Sequence, residues 1–365
     1  MSSPLDCNEE ECKSLTVCAV QNNTDSSKYE VEFYRRDVSS LLSLSEKALE
    51  DSDIDIIVWP ETSVVPPVEW NLKHGTDSDR LNLINEVLNF VGKIDSCLVL
   101  GNQSKEDDAD YNAALVFNSD SLGNKKENPL IYRKIHLVPF TEYFAWKNIF
   151  PHIYKILLNG DSRLWEKGSE FSVFRVNDVG FSTPICFEDT FGSLCRTYVN
   201  NGADFLINLS NDSWAKSNTA QNQHLSMAVF RAVENECPLV RSTASGVTCV
   251  IGANGKILKQ CESFSESYVV EKIKINGNKK TFYTRFGNWF AFFCVFVWRL
   301  PFRFHLRRRA LRRRMTAVWM HPRSDWAAFA RALCRRKSCS CLASRSSLRE
   351  AAAIWCGAMA MVPWC

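Results

Sequence analysis

Short runs of β-branched and aromatic residues alternate with amphipathic stretches from residue 15 to about residue 276. In the amphipathic stretches the apolar residues recur at spacings of three and four, which is typical of helices. This alternation favours an α/β architecture in one domain. The predicted strands are Leu15–Val20, Ile54–Val58, Cys97–Leu100, Ala113–Phe117, Phe171–Val176, Phe181–Ile185, Phe205–Leu209, Leu239–Thr243 and Thr248–Ile251. The predicted helices are Val38–Leu49, Leu81–Val91 and Gln223–Glu236.

Charge is distributed unevenly along the 365 residues. Residues 301–365 contain 13 Arg and 1 Lys against 2 acidic residues, whereas residues 1–300 have a net charge of −9. A mildly acidic body does not suggest binding to nucleic acid. No helical or strand period continues into residues 301–365, and two interpretations of this tail stay open: out-of-frame translation, or a basic arm that contacts anionic lipid.

The sequence shows no complete targeting or membrane signal. Residues 1–14 are polar and acidic, without the apolar core of a secretory signal, and we expect them to be disordered. The apolar run Trp289–Trp298 is ten residues long, about half of what a bilayer-spanning helix needs. Within the linker 277–300, this run is interpreted either as a truncated membrane helix or as an amphipathic or core segment.

Fifteen cysteines are scattered along the chain rather than paired at the spacings of a disulfide framework. Cys334, Cys339 and Cys341 lack a second Cys or His pair at a suitable distance for zinc. We therefore expect neither a disulfide scaffold nor a metal site.

The first segment with candidate catalytic residues is Ile54–Thr62, in which an apolar strand is followed by a turn that contains the carboxylate of Glu61. Pro60 restricts the backbone just before Glu61. A Glu held at the mouth of a buried strand can act as a general base. The alternative is a solvated turn residue, which is the commoner fate of a Glu after a strand.

The second segment, Tyr132–Tyr143, interleaves polar and apolar side chains. If the backbone is extended, alternation places Lys134 and His136 on one face. A lysine in this position can stabilise a developing oxyanion and lower the pKa of a neighbouring thiol. The alternative is a basic edge strand whose lysine guards against aggregation.

The third segment, Val179–Asp189, is a strand that ends in Cys186 and is followed by two acidic residues. A strand-to-helix elbow can expose a thiol to substrate, and near a cation the thiolate fraction rises. The alternative is a small buried hydrophobic residue. A Glu, a Lys about 70 residues later and a Cys about 50 further on, each at a strand end, are a rarer combination than any one of them.

These three contexts resemble the carbon-nitrogen hydrolase (nitrilase) superfamily, with Glu61, Lys134 and Cys186 at the positions of its Glu-Lys-Cys triad. The resemblance covers about residues 15–295 and implies a nitrilase-like four-layer α-β-β-α sandwich, with residues 15–276 as the catalytic domain. Within the superfamily, the segments most similar to the apolipoprotein N-acyltransferases are Trp59–Thr62, His136–Tyr143, Ile185–Glu188, Asn211–Trp214 and Arg231–Asn235.

The resemblance implies a two-step acyl transfer. Cys186 would attack a phospholipid acyl ester to form a thioester, with Glu61 taking the thiol proton and Lys134 holding the oxyanion. The amino group of a diacylglyceryl-cysteine lipoprotein would then accept the acyl chain. Glu142 and Glu188 would orient Lys134 or the incoming amine. No metal and no dissociable cofactor would be needed.

The resemblance also implies that Trp214 and Tyr29 bind substrate, and that the enzyme lies in the cell inner membrane with its catalytic domain on the periplasmic side. Two side chains depart from the family pattern: Phe187 follows the nucleophile in place of the usual Tyr, and Tyr29 replaces an indole. We expect the family's membrane helices before and after this domain to be missing or incomplete here. Two alternatives stay open: a soluble amidase or nitrilase acting on a small C–N substrate, and an inactive remnant.

Overall fold

Two six-stranded sheets form the centre of the computed structural model. The structure describes residues 13–24, 31–107, 109–118, 129–144, 146, 149–158, 164–275, 277 and 280–299. The interpretations of Tyr29 and of residues 1–12 and 301–365 lie outside the described residues. Lys13 and Ser14 already belong to the first strand, so the predicted disordered segment 1–14 extends two residues too far.

Strands and helices alternate along the chain as the sequence predicts. The strands are β1 (Lys13–Gln21), β2 (Ile56–Val58), β3 (Cys97–Glu106), β4 (Ala109–Phe117), β5 (Leu130–Arg133), β6 (Phe174–Val176), β7 (Val179–Ser182), β8 (Phe205–Ser210), β9 (Leu239–Thr243), β10 (Cys249–Ile251), β11 (Ile257–Gln260) and β12 (Ser267–Ile275). The helices are α1 (Val31–Asp51), α2 (Val68–His74), α3 (Ser78–Val91), α4 (Pro151–Leu158), α5 (Gly192–Asn200), α6 (Asn218–Asn235) and α7 (Phe282–Phe286), and a 3₁₀ helix spans Cys186–Thr190. Each of the nine predicted strands overlaps an observed strand or adjoins it, and the three predicted helices correspond to α1, α3 and α6.

The two sheets have related strand orders. The first sheet has the order β12-β1-β2-β3-β4-β5, and the second has the order β11-β10-β9-β8-β7-β6. The inner strands β1, β2 and β3 are parallel, as are β7, β8 and β9, and the outer pairs are antiparallel. Because chain segments leave parallel strands at the same edge, the loops after β7 and β8 are brought close together. A hydrogen bond between Asn211, after β8, and Glu61, after β2, brings the loop of the other sheet to the same place.

The hydrophobic core has two parts, one that includes residues of both sheets and one that packs under the helices of the first sheet. In β1, Val17 and Ala19 belong to the cluster that includes residues of both sheets, whereas Cys18 and Val20 pack with residues of α1 and α3. This division follows from the alternation of side chains along a strand. Residues of α5 and α6 cover the second sheet. The layers are therefore helix, sheet, sheet and helix, which confirms the predicted sandwich.

The apolar run Trp289–Trp298 is helical. A boundary between two compact units falls at its start, between Trp289 and Phe290. Among the residues that the structure describes, no helix has the length and apolar character needed to cross a membrane.

Candidate active site

The turn that carries Glu61 begins directly after β2 and packs tightly on Gly101 of β3. A methyl group on Gly101 would lie 2.5 Å from Glu61 Cα and 2.4 Å from the backbone nitrogen of Thr62. Contacts this short leave room only for glycine at position 101. The turn is therefore held at a fixed distance from the sheet. Glu61 lies at the sheet edge, and only 7% of its surface is exposed.

The Glu61 carboxylate has polar partners from three distant segments. Its Oε1 accepts a hydrogen bond from Asn112 Nδ2 at 2.8 Å and lies 3.4 Å from Lys134 Nζ. Its Oε2 accepts the backbone N–H of Asn211 at 2.9 Å. Asn211 follows β8 of the second sheet, so this one carboxylate joins the two sheets at the site.

Lys134 follows the last residue of β5, and its side chain is fully buried. Nζ donates to Glu142 Oε1 at 2.7 Å as well as contacting Glu61. Burial alone would lower the pKa of the ammonium group, but the negative charges of Glu61 and Glu142 outweigh burial and hold that pKa above its ordinary value. Lys134 is therefore a permanent cation at neutral pH.

Strand alternation does not decide where the side chains after β5 lie, because β5 ends at Arg133. Lys134 is buried among carboxylates, whereas the ring of His136 packs on Phe191 with 4.4 Å between ring centroids. The two side chains have separate surroundings, and the shared face that an extended backbone implies is not formed.

Cys186 is the first residue of the 3₁₀ helix and has a φ of +51°. This left-handed conformation costs a residue with a side chain about 1–3 kcal/mol unless its surroundings fix it. Asn208 of β8 supplies part of that support, since its Nδ2 donates to the carbonyl oxygens of Cys186 at 3.1 Å and of Pro184 at 3.2 Å. The predicted strand-to-helix elbow is present, and Cys186 at its apex is partly exposed.

The surroundings of the Cys186 thiol keep it protonated at neutral pH. Burial of the thiol and the negative charge of Glu61 raise its pKa above the ordinary value, and the positive charge of Lys134 opposes them only in part. Lys134 lowers the pKa of the thiol, as the sequence predicts, but burial and the Glu61 carboxylate outweigh that effect and the pKa is raised overall. A thiol of this kind needs a base to become nucleophilic.

Glu142, predicted to orient Lys134, lies within hydrogen-bond distance of it. Glu142 Oε1 accepts from Lys134 and, at 3.3 Å, from Asn112 Nδ2, while its Oε2 accepts the backbone N–H of Val138 at 2.8 Å. Asn112 therefore bonds both Glu61 and Glu142, one on each side of the ammonium group. Sequence reasoning missed Asn112, because a polar residue within a strand is also typical of a solvent-facing position.

Glu188 lies beside this group, but its hydrogen bonds go to the backbone and to a tyrosine. Its carboxylate accepts the backbone N–H groups of Ile135 at 2.7 Å, His136 at 2.9 Å and Ile185 at 2.8 Å. The Tyr132 hydroxyl lies 2.8 Å from both carboxylate oxygens. Glu188 thus connects the backbone that follows Lys134 to the backbone that precedes Cys186. Its hydrogen bonds help to position Lys134 through the backbone of the next two residues.

Burial raises the pKa of Glu188 to about 7, although the backbone N–H groups and the Lys134 charge act in the opposite direction. The Tyr198 hydroxyl donates to the Tyr132 hydroxyl at 2.6 Å, which extends the hydrogen-bonded chain into α5. Glu188 is therefore a buried group that gains or loses its charge near neutral pH.

Trp214, predicted to bind substrate, is 69% exposed in the loop after β8. It stands three residues after Asn211, whose backbone N–H binds Glu61. The indole is thus at the surface, on the loop that reaches the carboxylate. The other predicted substrate residue, Tyr29, lies outside the described residues.

Sequence reasoning also missed a cluster of four charged residues next to the turn of Cys186, in which Asp189, Asp212 and Arg241 are buried and His224 is slightly exposed. Asp189 and Asp212 stand in the segments singled out above, but Arg241 is inside a strand and His224 inside a helix. An arginine in the middle of an apolar strand was the one available signal, since such a residue is rarely buried without a partner.

A model of the carbon-nitrogen hydrolase family matches residues 16–281 of the chain. Over 290 residues the chain is 41% identical to apolipoprotein N-acyltransferase 1 of Treponema pallidum, covering 76% of this chain and 53% of that protein. Over 305 residues it is 38% identical to apolipoprotein N-acyltransferase 1 of Treponema denticola, covering 79% and 56%. The chain spans about half the length of the curated relatives it matches.

Solved structures share the architecture. A carbon-nitrogen hydrolase from Helicobacter pylori G27 aligns with a TM-score of 0.52 at 17% identity, covering 73% of this chain and 91% of that one. Nit3 of Saccharomyces cerevisiae, a nitrilase-superfamily member, aligns with a TM-score of 0.51 at 17% identity, again covering 73% and 91%. At such identities the likeness shows the fold alone, and that fold is the predicted nitrilase-like sandwich. With the family model matching most of its length, the chain belongs to the carbon-nitrogen hydrolase family.

Proposed function

We propose that residues 15–276 form the catalytic domain of an apolipoprotein N-acyltransferase, with Glu61, Lys134 and Cys186 as its catalytic residues. The observation that carries this proposal is the meeting of the three groups: Lys134 Nζ lies 3.4 Å from Glu61, and the charges of both act on the Cys186 thiol. The relatives that match this region at 41% and 38% identity bear the name of that activity.

In the first step Glu61 takes the proton of the Cys186 thiol, and the thiolate attacks the carbonyl carbon of a phospholipid ester. The raised pKa of the thiol makes the base necessary. The tetrahedral oxyanion is stabilised by the Lys134 ammonium group and by the backbone N–H of Phe187, for which the described residues provide no backbone partner. The ester C–O bond then breaks, Glu61 protonates the leaving alkoxide, and a lysophospholipid leaves a thioester on Cys186.

In the second step the amino group of a diacylglyceryl-cysteine lipoprotein attacks the thioester. Glu61 accepts a proton from the attacking amine, the C–S bond breaks, and the proton returns to the Cys186 sulfur as the amide forms. Lys134 stabilises the second oxyanion in the same place as the first. Glu142 supports this role because it holds Nζ at 2.7 Å, and Trp214 is available on the surface loop to contact the lipid substrates.

Exposed apolar side chains beside the site support a lipid acyl donor and an enzyme that works at the membrane. Phe140, Trp146, Ile149 and Phe150 each expose between 47% and 67% of their surface, and they lie in the segment around Glu142. Large exposed apolar patches mark sites that bind membranes, proteins or apolar ligands. We infer an enzyme of the cell inner membrane whose catalytic domain faces the periplasm.

Labelling of the nucleophile tests the proposal. The purified chain is incubated with vesicles of phosphatidylethanolamine bearing a labelled acyl chain, and the Cys186 peptide is analysed by mass spectrometry. We expect a hydroxylamine-sensitive acyl label on Cys186, and slower labelling by about 10²- to 10⁴-fold in Glu61→Gln. Cys294→Ser is the matched control, because Cys294 is exposed and far in sequence from the site.

Two results would contradict the proposal: wild-type protein without acyl label on Cys186, or labelling that Glu61→Gln leaves unchanged. The same triad could serve a soluble amidase, and one of the structures that shares the fold is an amidase of Nesterenkonia. Cys186-dependent release of ammonia from a panel of small amides, without acyl label from phospholipid, would favour that second function.

A further inference from the structure

Three buried charged side chains and one that is slightly exposed interact next to the turn of the nucleophile. Asp189 belongs to the 3₁₀ helix, Asp212 to the loop after β8, His224 to α6 and Arg241 to β9. Asp189 and Arg241 are fully buried, and the His224 side chain is 12% exposed. With both aspartates ionised and both bases protonated, the cluster is neutral, which is the state in which burial of charge costs least.

Hydrogen bonds to Asp189 and Asn208 connect the cluster to the turn that carries the nucleophile. Arg241 Nη1 donates to Asp189 Oδ2 and, at 3.0 Å, to Asn208 Oδ1. His224 Nε2 lies 2.9 Å from Asp189 Oδ1. Asp189 is three residues after Cys186, and Asn208 donates to the Cys186 carbonyl oxygen. The guanidinium group therefore reaches the backbone of the left-handed nucleophile through one intervening side chain.

Hydrogen bonds to Asp212 connect the cluster to the loop that contacts the general base. Arg241 Nη2 donates to Asp212 Oδ2 at 2.8 Å, and His224 Nδ1 lies 3.0 Å from Asp212 Oδ1. Asp212 is the next residue after Asn211, whose backbone N–H donates to Glu61 Oε2. Movement of Asp212 would thus move the donor that orients the carboxylate.

We propose that Arg241 and His224 are positioning residues: by bonding Asp189 and Asp212 together, they fix the turn of Cys186 relative to the loop that orients Glu61. Neither residue bonds the thiol or the Glu61 carboxylate. Because Arg241 binds both aspartates from two different nitrogens, the shape of its guanidinium group matters as well as its charge. The catalytic role of the positioned groups rests on the proposed function, whereas the positioning itself does not.

His224 makes the arrangement dependent on pH. Burial and the Arg241 charge lower its pKa, but Asp189 and Asp212 outweigh them and raise it to about 9. Within the described part of the chain, His224 contacts these three groups from other elements, with Arg241 Nη2 2.9 Å from its Nδ1. On its own helix Arg231 pairs with Glu234. A base with a raised pKa keeps its contribution below that value and loses it above, so the link between the aspartates weakens as pH rises through about 9.

Alkylation of Cys186 by iodoacetamide tests this proposal without any acyl substrate. The rate is followed on the Cys186 peptide by mass spectrometry between about pH 6 and pH 10.5, in wild type, His224→Gln and Arg241→Lys. His152→Gln, at an exposed position of α4, is the matched control. Asn208→Ala removes the bonds to the Cys186 and Pro184 carbonyls and to Arg241 while leaving both aspartates bonded to Arg241, and it serves if Arg241→Lys does not fold. Circular dichroism confirms that each variant is folded at the assay temperature.

We expect wild type to be alkylated at least about tenfold faster than His224→Gln at neutral pH, with the ratio approaching one above about pH 10, where His224 is also uncharged. Arg241→Lys keeps the charge and should be slowed similarly, because a single ammonium nitrogen cannot occupy the two separate positions from which Nη1 and Nη2 bond the aspartates. Folded variants with lower melting temperatures but wild-type alkylation rates at every pH would overturn the proposal. Should acyl labelling of wild-type Cys186 fail while these rate ratios hold, the proposed function is wrong and the positioning role stands.

Discussion

Replacing Glu188 by Gln removes the charge of a buried carboxylate and nearly keeps its shape. In the native chain the two oxygens accept the backbone N–H groups of Ile135, His136 and Ile185 and the hydroxyl of Tyr132. The Gln amide nitrogen donates and cannot accept, so at least one buried N–H group loses its partner. A buried donor without a partner costs about 1–3 kcal/mol. Glu188→Ala removes every acceptor, and we expect about 3–5 kcal/mol of destabilisation, with water replacing part of the loss.

The size of the Gln effect depends on pH, because burial raises the pKa of Glu188 from the ordinary 4.5 to about 7. An acid with a raised native-state pKa takes up its proton more readily in the folded chain than in the unfolded one. Its stabilising contribution is therefore full below the unfolded pKa of 4.5 and is lost as pH rises through about 7. This difference corresponds to about 3 kcal/mol. Gln does not titrate, so the stability of wild type relative to Glu188→Gln should fall by about 2.5 kcal/mol between about pH 5 and pH 8, which covers most of that difference.

Urea unfolding followed by circular dichroism measures this difference at about pH 5, 6, 7 and 8. Taking wild type minus variant at each pH cancels the titration of all other groups. Glu46→Gln, at an exposed position of α1, is the matched control and should stay within about 0.5 kcal/mol of wild type throughout. A wild-type advantage that is constant across this range, or that grows with pH, would refute the reasoning.

Three further substitutions test the surroundings of Glu61. Gly101→Ala places a methyl group 2.5 Å from Glu61 Cα, so acyl labelling of Cys186, the proposed nucleophile, should be abolished, and normal labelling would show that the turn can shift freely. Asn112→Ala removes the 2.8 Å hydrogen bond to Glu61 and should slow labelling by about ten- to a hundredfold, with an unchanged rate as the contrary result. Trp59→Phe leaves the Ser45 hydroxyl without its buried indole donor and should lower the free energy of unfolding by about 1–3 kcal/mol in urea, a loss below about 0.5 kcal/mol being the opposing outcome.

The strands that could be predicted from the sequence are those buried in the middle of the two sheets. β2, β8 and β9 are uninterrupted buried runs, and such runs stand out without knowledge of the fold. β11 and β12 were not predicted, because three of the four residues of β11 are exposed and β12 carries charges between its apolar residues. Their strand conformation depends on partners supplied by distant parts of the chain, which local sequence does not reveal.

The residues of the candidate site also fall into those that the sequence could predict and those that it could not. Glu61 and Cys186 could be proposed because each follows an apolar strand, where a polar residue is conspicuous. Asn112, Arg241 and His224 could not, since each lies within a strand or helix, and only its distant partners show that it is buried and bonded. The direction in which the Cys186 pKa is shifted could not be predicted from the sequence either, because the shift depends on the burial of the thiol as well as on neighbouring charges.

The pairing of β1 with β12 governs the order in which the first sheet can be completed. Nine residues of each strand pair, from Lys13 with Ile275 to Gln21 with Ser267, across almost the whole domain sequence. At about 5–20 residues per second, a ribosome needs on the order of 10–50 s between making β1 and making β12. Throughout that interval β1 presents an open edge of unpaired N–H and C=O groups to other chains. Closure across so many residues is also slow once β12 has emerged. We therefore expect the yield of folded protein to fall as chain concentration rises, and a segment that covers β1 during synthesis to restore it.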